Sequence, residues 1–511
     1  MSSRIAIIFV VITLIVLSAA ILANSMAKPV GRDEQMYCTG AVCMAQGKMI
    51  YKDFSYAAQM PYHPLLCAAL FKVFGTTHYL LVIRLLSSVC DILVMICIIG
   101  VYRHIFRPFT TTGLLLGLAA VALYVFNPLV DYANGFAWNH DVVVFCIVLS
   151  LWLYVTMDIL RPSHYWRIAA IGALLTFATF MRITTVLVVF VFLGVLLHSS
   201  HKSIKQRIKT VLSFWVASIL VMIWPVWVIA QAPKAVFLNL VKIPVFYGQW
   251  LRDIGMVHNK VALTFACLTT PGYLVLIALA IYLVLFCLVL RRRLKIANTG
   301  SLWLAALLPV VFFVIALIPP TMWRQYLAIP VPFLVIALAF PLSYLRRLGD
   351  QAKMRKQFKI AAVSMAACAL IAIFAYPYVL LRMPIALVPE RWVPIELHKT
   401  SEKIIARARA PKQILTLAPL LAIEGDGHIY PELSAGAIIY RIADSLSPRE
   451  RQITHTAGPK NLLALTERAQ PSAVILGVEM KRLEDLIHEV VVQPDWEKVE
   501  YENGPTVYFS P

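Results

Sequence analysis

Eleven apolar segments, each at or near the length that crosses a hydrocarbon layer, fall in the first 382 residues and narrow the possible folds more than any other feature. A bilayer core about 30 Å thick takes about 20 residues at helical rise, and a segment inside it must satisfy its own backbone hydrogen bonds. The segments are residues 5–23, 78–101, 111–128, 141–157, 166–181, 183–198, 211–230, 272–290, 301–318, 326–345 and 360–381. With 60% hydrophobic residues and a mean hydropathy of +0.77, the expected fold is an α-helical polytopic membrane protein of about 11 transmembrane helices.

Acidic residues divide the chain: nine lie in residues 1–382 and seventeen in 383–511. The shift marks a boundary near Arg382, between a membrane module (1–382) and a small C-terminal α/β domain (383–511). In that tail, Ile395 to Ala408 and Glu479 to Val491 read as helices. Gln413 to Pro419, Pro471 to Gly477, Trp496 to Glu500 and Thr506 to Phe509 read as strands, and Gly425-Asp426-Gly427 as loop.

Basic residues set the orientation, because Lys and Arg stay on the cytoplasmic side. With the N-terminus inside, the cytoplasmic segments hold Arg4; Arg103 and Arg107; Arg161 and Arg167; Lys202 to Lys209; Arg291 to Lys295; and Arg346 to Lys359, against only Asp158 and Asp350. An odd number of crossings puts the tail outside. The net charge of +20 is then a topology signal, and no nucleic-acid partner is expected. Residues 1–27 also have features of a signal peptide, but the apolar run 5–23 exceeds a usual core of that kind, so the segment is read as a retained span. The nine cysteines form no recognisable disulfide framework, and no Asn-x-Ser/Thr sequon occurs; the expected location is a bacterial inner membrane.

Glu34 is the only glutamate among the first 382 residues, and it follows Asp33 directly after the first span. Ionised groups at a membrane are costly and usually functional; the alternative for this pair is the cap of a surface helix. The outer loop they open, residues 24–77, reads as two interfacial helices, 34–47 and 61–75, joined by Lys48 to Tyr56. Asn139-His140-Asp141 opens the fourth span at the same face, where Asp141 is a cap or a functional acid. Asp91 lies inside a span, seven residues and two helical turns after Arg84, and is expected to pair within the bundle. His63 in Tyr62-His63-Pro64 is an interfacial polar residue or a ligand. Arg324 and Arg182, at outer turns, are membrane anchors or phosphate binders. There is no P-loop, dinucleotide fingerprint, zinc spacing or nucleophile elbow.

Taken in order, Arg32-Asp33-Glu34 with Tyr37, Tyr51-Lys52-Asp53-Phe54, Tyr62-His63-Pro64, Asp141 and Arg324-Gln325-Tyr326-Leu327 resemble the membrane glycosyltransferases of the GT-C fold, in the branch of protein O-mannosyltransferases and lipid A aminoarabinose transferases. In place of that family's Pro-Pro dipeptide before a lysine, Pro64 is followed by Leu65-Leu66. The resemblance implies a polyprenyl-phosphate sugar donor and a lipid, lipopolysaccharide or glycan acceptor, joined at the outer face. It further implies Asp33 as general base, with Glu34 or Asp141 positioning the acceptor or, with His63, holding a divalent metal ion. Arg324 would stabilise the leaving phosphate, with Tyr326, Lys52, His63, Arg182 and Tyr62 as further substrate contacts. The alternative is a transporter or flippase of lipid-linked sugars, although such proteins place their sites near mid-membrane, whereas these acids gather at one face.

Overall fold

The computed structural model describes residues 3–158, 161–199, 203–257, 259–290, 300–319, 321–347, 352–501 and 504–511. Lys202, Arg291 to Lys295 and Asp350 of the sequence reading lie outside them.

The N-terminal three-quarters is helical: α1 (Ser3–Ala27), α2 (Arg32–Ala45), α3 (Tyr62–Phe74), α4 (Tyr79–Ile105), α5 (Thr110–Val125), α6 (Pro128–Ala133), α7 (His140–Thr156), α8 (Tyr165–Thr179), α9 (Val186–Ser199) and α10 (Ile204–Gln231). These are followed by α11 (Pro233–Phe237), α12 (Ile243–Asp253), α13 (Lys260–Leu268), α14 (Pro271–Leu290), α15 (Gly300–Leu317), α16 (Pro330–Ala337), α17 (Ala339–Arg347) and α18 (Ala352–Ala375). Each of the eleven expected segments is largely helical, with 326–345 divided between α16 and α17. Among the described residues seven are long and apolar enough to cross a membrane, while α5, α7, α8 and α9 belong to shorter apolar helices.

Local chemistry fixes the boundaries. Ser203 opens α10 by accepting a hydrogen bond from the Gln206 N–H at 3.2 Å, and Asn127 caps α6 ahead of Pro128. Gly75 ends α3 in the left-handed conformation, φ 56°. Helices α8 and α10 pack closely because Gly172 has no side chain: a Cβ there would sit 2.4 Å from the Phe214 carbonyl oxygen. One continuous apolar core joins α1, α4, α5, α7, α8 and α14 to α16.

Helix α2 is not a surface helix as expected: Glu34 and the run from Met36 to Cys43 are buried, against α3, α4 and the C-terminal residues. All nine cysteines are free.

Among the described residues the five strands all lie in the tail: β1 (Gln413–Thr416), β2 (His428–Ile429), β3 (Ala473–Leu476), β4 (Glu497–Glu500) and β5 (Thr506–Phe509). Their order is β2-β1-β3-β5-β4, with β2, β1 and β3 parallel and β3, β5 and β4 antiparallel. Strand β3 is buried throughout, which its continuous Ala-Val-Ile-Leu run reflects. Strand β2 emerges where loop was expected. Hydrogen bonds clamp the tail onto the helices: the Leu420 N–H donates to Gln35 Oε1 at 2.9 Å, the Leu80 N–H donates to Glu424 Oε1 at 2.7 Å, and Lys242 pairs with Glu450 at 2.5 Å.

Candidate active site

The start of α2 sets two adjacent carboxylates in different surroundings, because consecutive helical side chains point about 100° apart. Glu34 turns inward and is fully buried. Arg84 on α4 reaches it twice, Nε to Oε1 at 2.9 Å and Nη2 to Oε2 at 2.7 Å, a bidentate pair. The Ala137 and Gly31 N–H groups add bonds of 2.6 Å each, to Oε1 and Oε2. Arg84 Nη1 donates to the Ser25 and Lys28 carbonyls. With both oxygens twice engaged, Glu34 has no lone pair to offer a metal or an acceptor, and that expectation is corrected: it holds the loop in place. Asp91 finds its partner within the bundle, accepting from the Tyr124 hydroxyl, while Arg84 goes to Glu34.

Asp33 turns the other way, into a cavity of about 480 Å³ that also meets Arg182, Tyr326 and Gln325. Its carboxylate makes no hydrogen bond or ion pair among the described residues. Burial pushes its pKa above the ordinary aspartate value, with the charge of Glu34 adding to the rise and Arg182, Arg32 and Arg441 opposing it. A carboxylate moved upward in this way is a stronger base.

Arg182 is the cavity's half-buried cation. Its Nη2 donates to Asn139 Oδ1 at 3.0 Å, and Asn139 is in turn held by its own bonds to the Met181 carbonyl and Gln59 Oε1. Arg182 Nη1 is buried without a partner, as is Gln325 Oε1. An unpaired buried guanidinium N–H is costly, and an anion in the cavity would remove that cost.

The remaining sequence candidates are dispersed. Tyr326 lines the cavity. Arg324 and Lys52 are exposed and absent from its lining, so Arg324 is not the cavity's phosphate-facing arginine. Tyr62 gives its hydroxyl to the Val221 carbonyl and its ring to Phe177 and Trp224. His63 is buried edge-on to Tyr37 with Cys67 Sγ beside it, and burial pushes its pKa down to about 3. Asp141 accepts from the Gly135 N–H at 3.0 Å, fixing a turn whose φ of 81° suits glycine and where a Cβ would meet Ser25 at 2.9 Å. Glu34, Asp141 and His63 therefore form no metal-binding set, and no step is assigned to a metal in this cavity.

Sequence reasoning names Asn139 and Gln325 only as neighbours of Asp141 and Arg324, and singles out no residue of the tail. Ile438 reaches the cavity wall. Buried Arg441 bonds Glu479 at 2.6 Å and the Tyr247 hydroxyl at 3.2 Å, while Glu479 also meets Arg32 at 3.4 Å. The available signal was a lone arginine in the apolar run Ala437-Ile-Ile-Tyr-Arg-Ile-Ala443.

This architecture matches ArnT from Cupriavidus metallidurans bound to undecaprenyl phosphate, with a TM-score of 0.65, 14% identity and coverage of 99% of this chain and 98% of that one. The chain has the GT-C fold. The same ArnT in the apo state aligns with a TM-score of 0.62 at 14% identity, over 98% of this chain and 97% of that one. The Archaeoglobus fulgidus oligosaccharyltransferase tethered with an acceptor peptide aligns with a TM-score of 0.51 at 11% identity, over 97% of this chain and 73% of that one. No family model matches this chain, and no curated protein matches it by sequence.

Proposed function

We propose that this protein is an integral membrane glycosyltransferase that moves a sugar from a polyprenyl-phosphate donor to a hydroxyl of a lipid, lipopolysaccharide or glycan acceptor. The observation that carries the reading is the pairing, in one cavity, of a hydrogen-bond-free Asp33 carboxylate with an Arg182 guanidinium that has an unpartnered N–H. The fold shared with an ArnT bound to undecaprenyl phosphate supports a lipid-phosphate donor.

In this reaction the acceptor oxygen attacks the anomeric carbon while the bond from that carbon to the phosphate oxygen breaks. Asp33 takes the acceptor's proton, and the electron pair of the broken bond leaves with the polyprenyl phosphate. Attack opposite the leaving group inverts the anomeric centre. Arg182 faces the charge that grows on the phosphate, where a preorganised donor is most effective, and Asn139 keeps its fork oriented. Tyr326 and Gln325 border the same space and position the sugar. Asp33 works only when ionised, so turnover falls as pH drops through its raised pKa. The distribution of basic residues supports a cavity at the outer face, with the N-terminus cytoplasmic and the tail periplasmic.

The test is turnover of a panel of polyprenyl-phosphate sugars by the purified protein in lipid nanodiscs. Release of polyprenyl phosphate, suppressed in Arg182→Gln, is expected for one donor class. Donor binding without release under every acceptor, with flux across a sealed membrane, would replace the transferase by a transporter.

A further inference from the structure

A second cluster of metal-ligating side chains lies at the seam between the helices and the tail. His78 precedes α4, His398 sits on the helix Val393–Arg407, and Glu424 follows the short helix Leu420–Ile423. One donor atom from each lies within 4.8 Å of the others. None of the three lines the Asp33 cavity.

The geometry is poorly explained by hydrogen bonding alone. The two imidazole rings are 3.6 Å apart between centroids and tilted by 36°, and His78 Nδ1 is buried without a partner. His398 Nδ1 faces Glu424 Oε2 at 2.8 Å, while its Nε2 stands 3.4 Å from Glu402 Oε1. A ligating histidine usually gives its second ring nitrogen to a carboxylate in this manner. Glu424 is held by its other oxygen, which accepts the Leu80 N–H.

We propose that His78, His398 and Glu424 bind a divalent transition cation of the zinc class, which fastens the C-terminal domain to the start of α4. Two imidazoles and a carboxylate are a donor set such a cation accepts, and with bonds of about 2 Å the three side chains need close by only roughly 1 Å, leaving a fourth position for water. The unpartnered His78 nitrogen gains a ligand, and two polypeptide regions more than 300 residues apart in sequence become cross-linked through one ion. This is a structural site and does not depend on the proposed transferase reaction.

The experiment uses the full chain in nanodiscs, stripped with EDTA and returned to Zn²⁺ alone. The native protein should retain one zinc per chain after desalting and melt at a higher temperature than its stripped form. His78→Gln and His398→Gln should each lose that retention and the zinc-dependent rise, while their metal-free melting stays close to the native protein's. Zinc retention no greater than that of the His78→Gln/His398→Gln double variant would overturn the site. If a variant fails to melt cooperatively, Co²⁺ bound to the native protein decides. A visible spectrum of low-coordinate imidazole and carboxylate ligation supports the site, and the spectrum of the hydrated ion overturns it.

Discussion

The network beneath α2 and the cavity above it contain the same kinds of groups, a carboxylate and an arginine, in opposite states of satisfaction. Below, Glu34 and Arg84 are completely buried and saturated with hydrogen bonds. Above, Asp33 is bare and Arg182 has an unpartnered N–H. The lower pair has no free hydrogen-bonding position, while the upper one keeps open positions that the proposed reaction would fill with an anion and a hydroxyl. Under the proposed reaction, two neighbouring residues divide structure from chemistry.

Breaking the lower pair should have the largest effect. Glu34→Ala leaves the Arg84 charge buried and unpaired, a cost of about 3–5 kcal/mol, so yield and thermal midpoint in detergent should collapse. A Glu34→Ala protein that melts like the native one would put the two regions on the same footing. Next in size is Arg182→Gln, where turnover should fall by roughly 10²–10³, the cost of removing one preorganised donor, with the thermal midpoint little changed.

The pH profile sharpens the comparison further. Asp33 is raised above its ordinary value of 3.8, so the acid limb of kcat/KM should lie above that value, with activity lost as pH falls. Arg182 lowers the Asp33 pKa, so Arg182→Gln should move the residual activity's limb upward; a downward move would mean that another group titrates. Smallest is Arg324→Ala. As an exposed change it should alter turnover and donor affinity by no more than about twofold, equivalent to about 0.5 kcal/mol, and a large rise in the donor constant would return Arg324 to the phosphate.

Much of this was legible in the sequence, for physical reasons specific to each part. Apolar runs must be helical in lipid, so the apolar segments read from the sequence are helical, seven of them among the described residues long and apolar enough to cross a membrane. The buried run of β3 announced itself, whereas two-residue β2, beside Gly425-Asp426-Gly427, has no periodicity to read. Asp33 stood out because acids are rare in its surroundings. The wrong-side basic residues Arg182 and Arg324 gave identical signals, yet sidedness does not say which way a side chain points. Arg324 and Tyr326 share one short 3₁₀ turn, Arg324–Leu327, and only the tyrosine lines the cavity. The Glu34–Arg84 pair joins residues fifty apart in sequence, a tertiary contact that local spacing cannot reveal. That is why the sequence pattern points Glu34 to chemistry and leaves its arginine partner unnamed.

The most direct test of the division is the turnover of Asp33→Asn in nanodiscs, with its thermal midpoint measured on the same preparation. The substitution keeps the side chain's size and removes its basicity. Turnover should drop by about 10²–10⁴, the usual contribution of a general base, while the midpoint stays at the native value. An Asp33→Asn protein that transfers sugar at the native rate would contradict the assignment of Asp33 as the base.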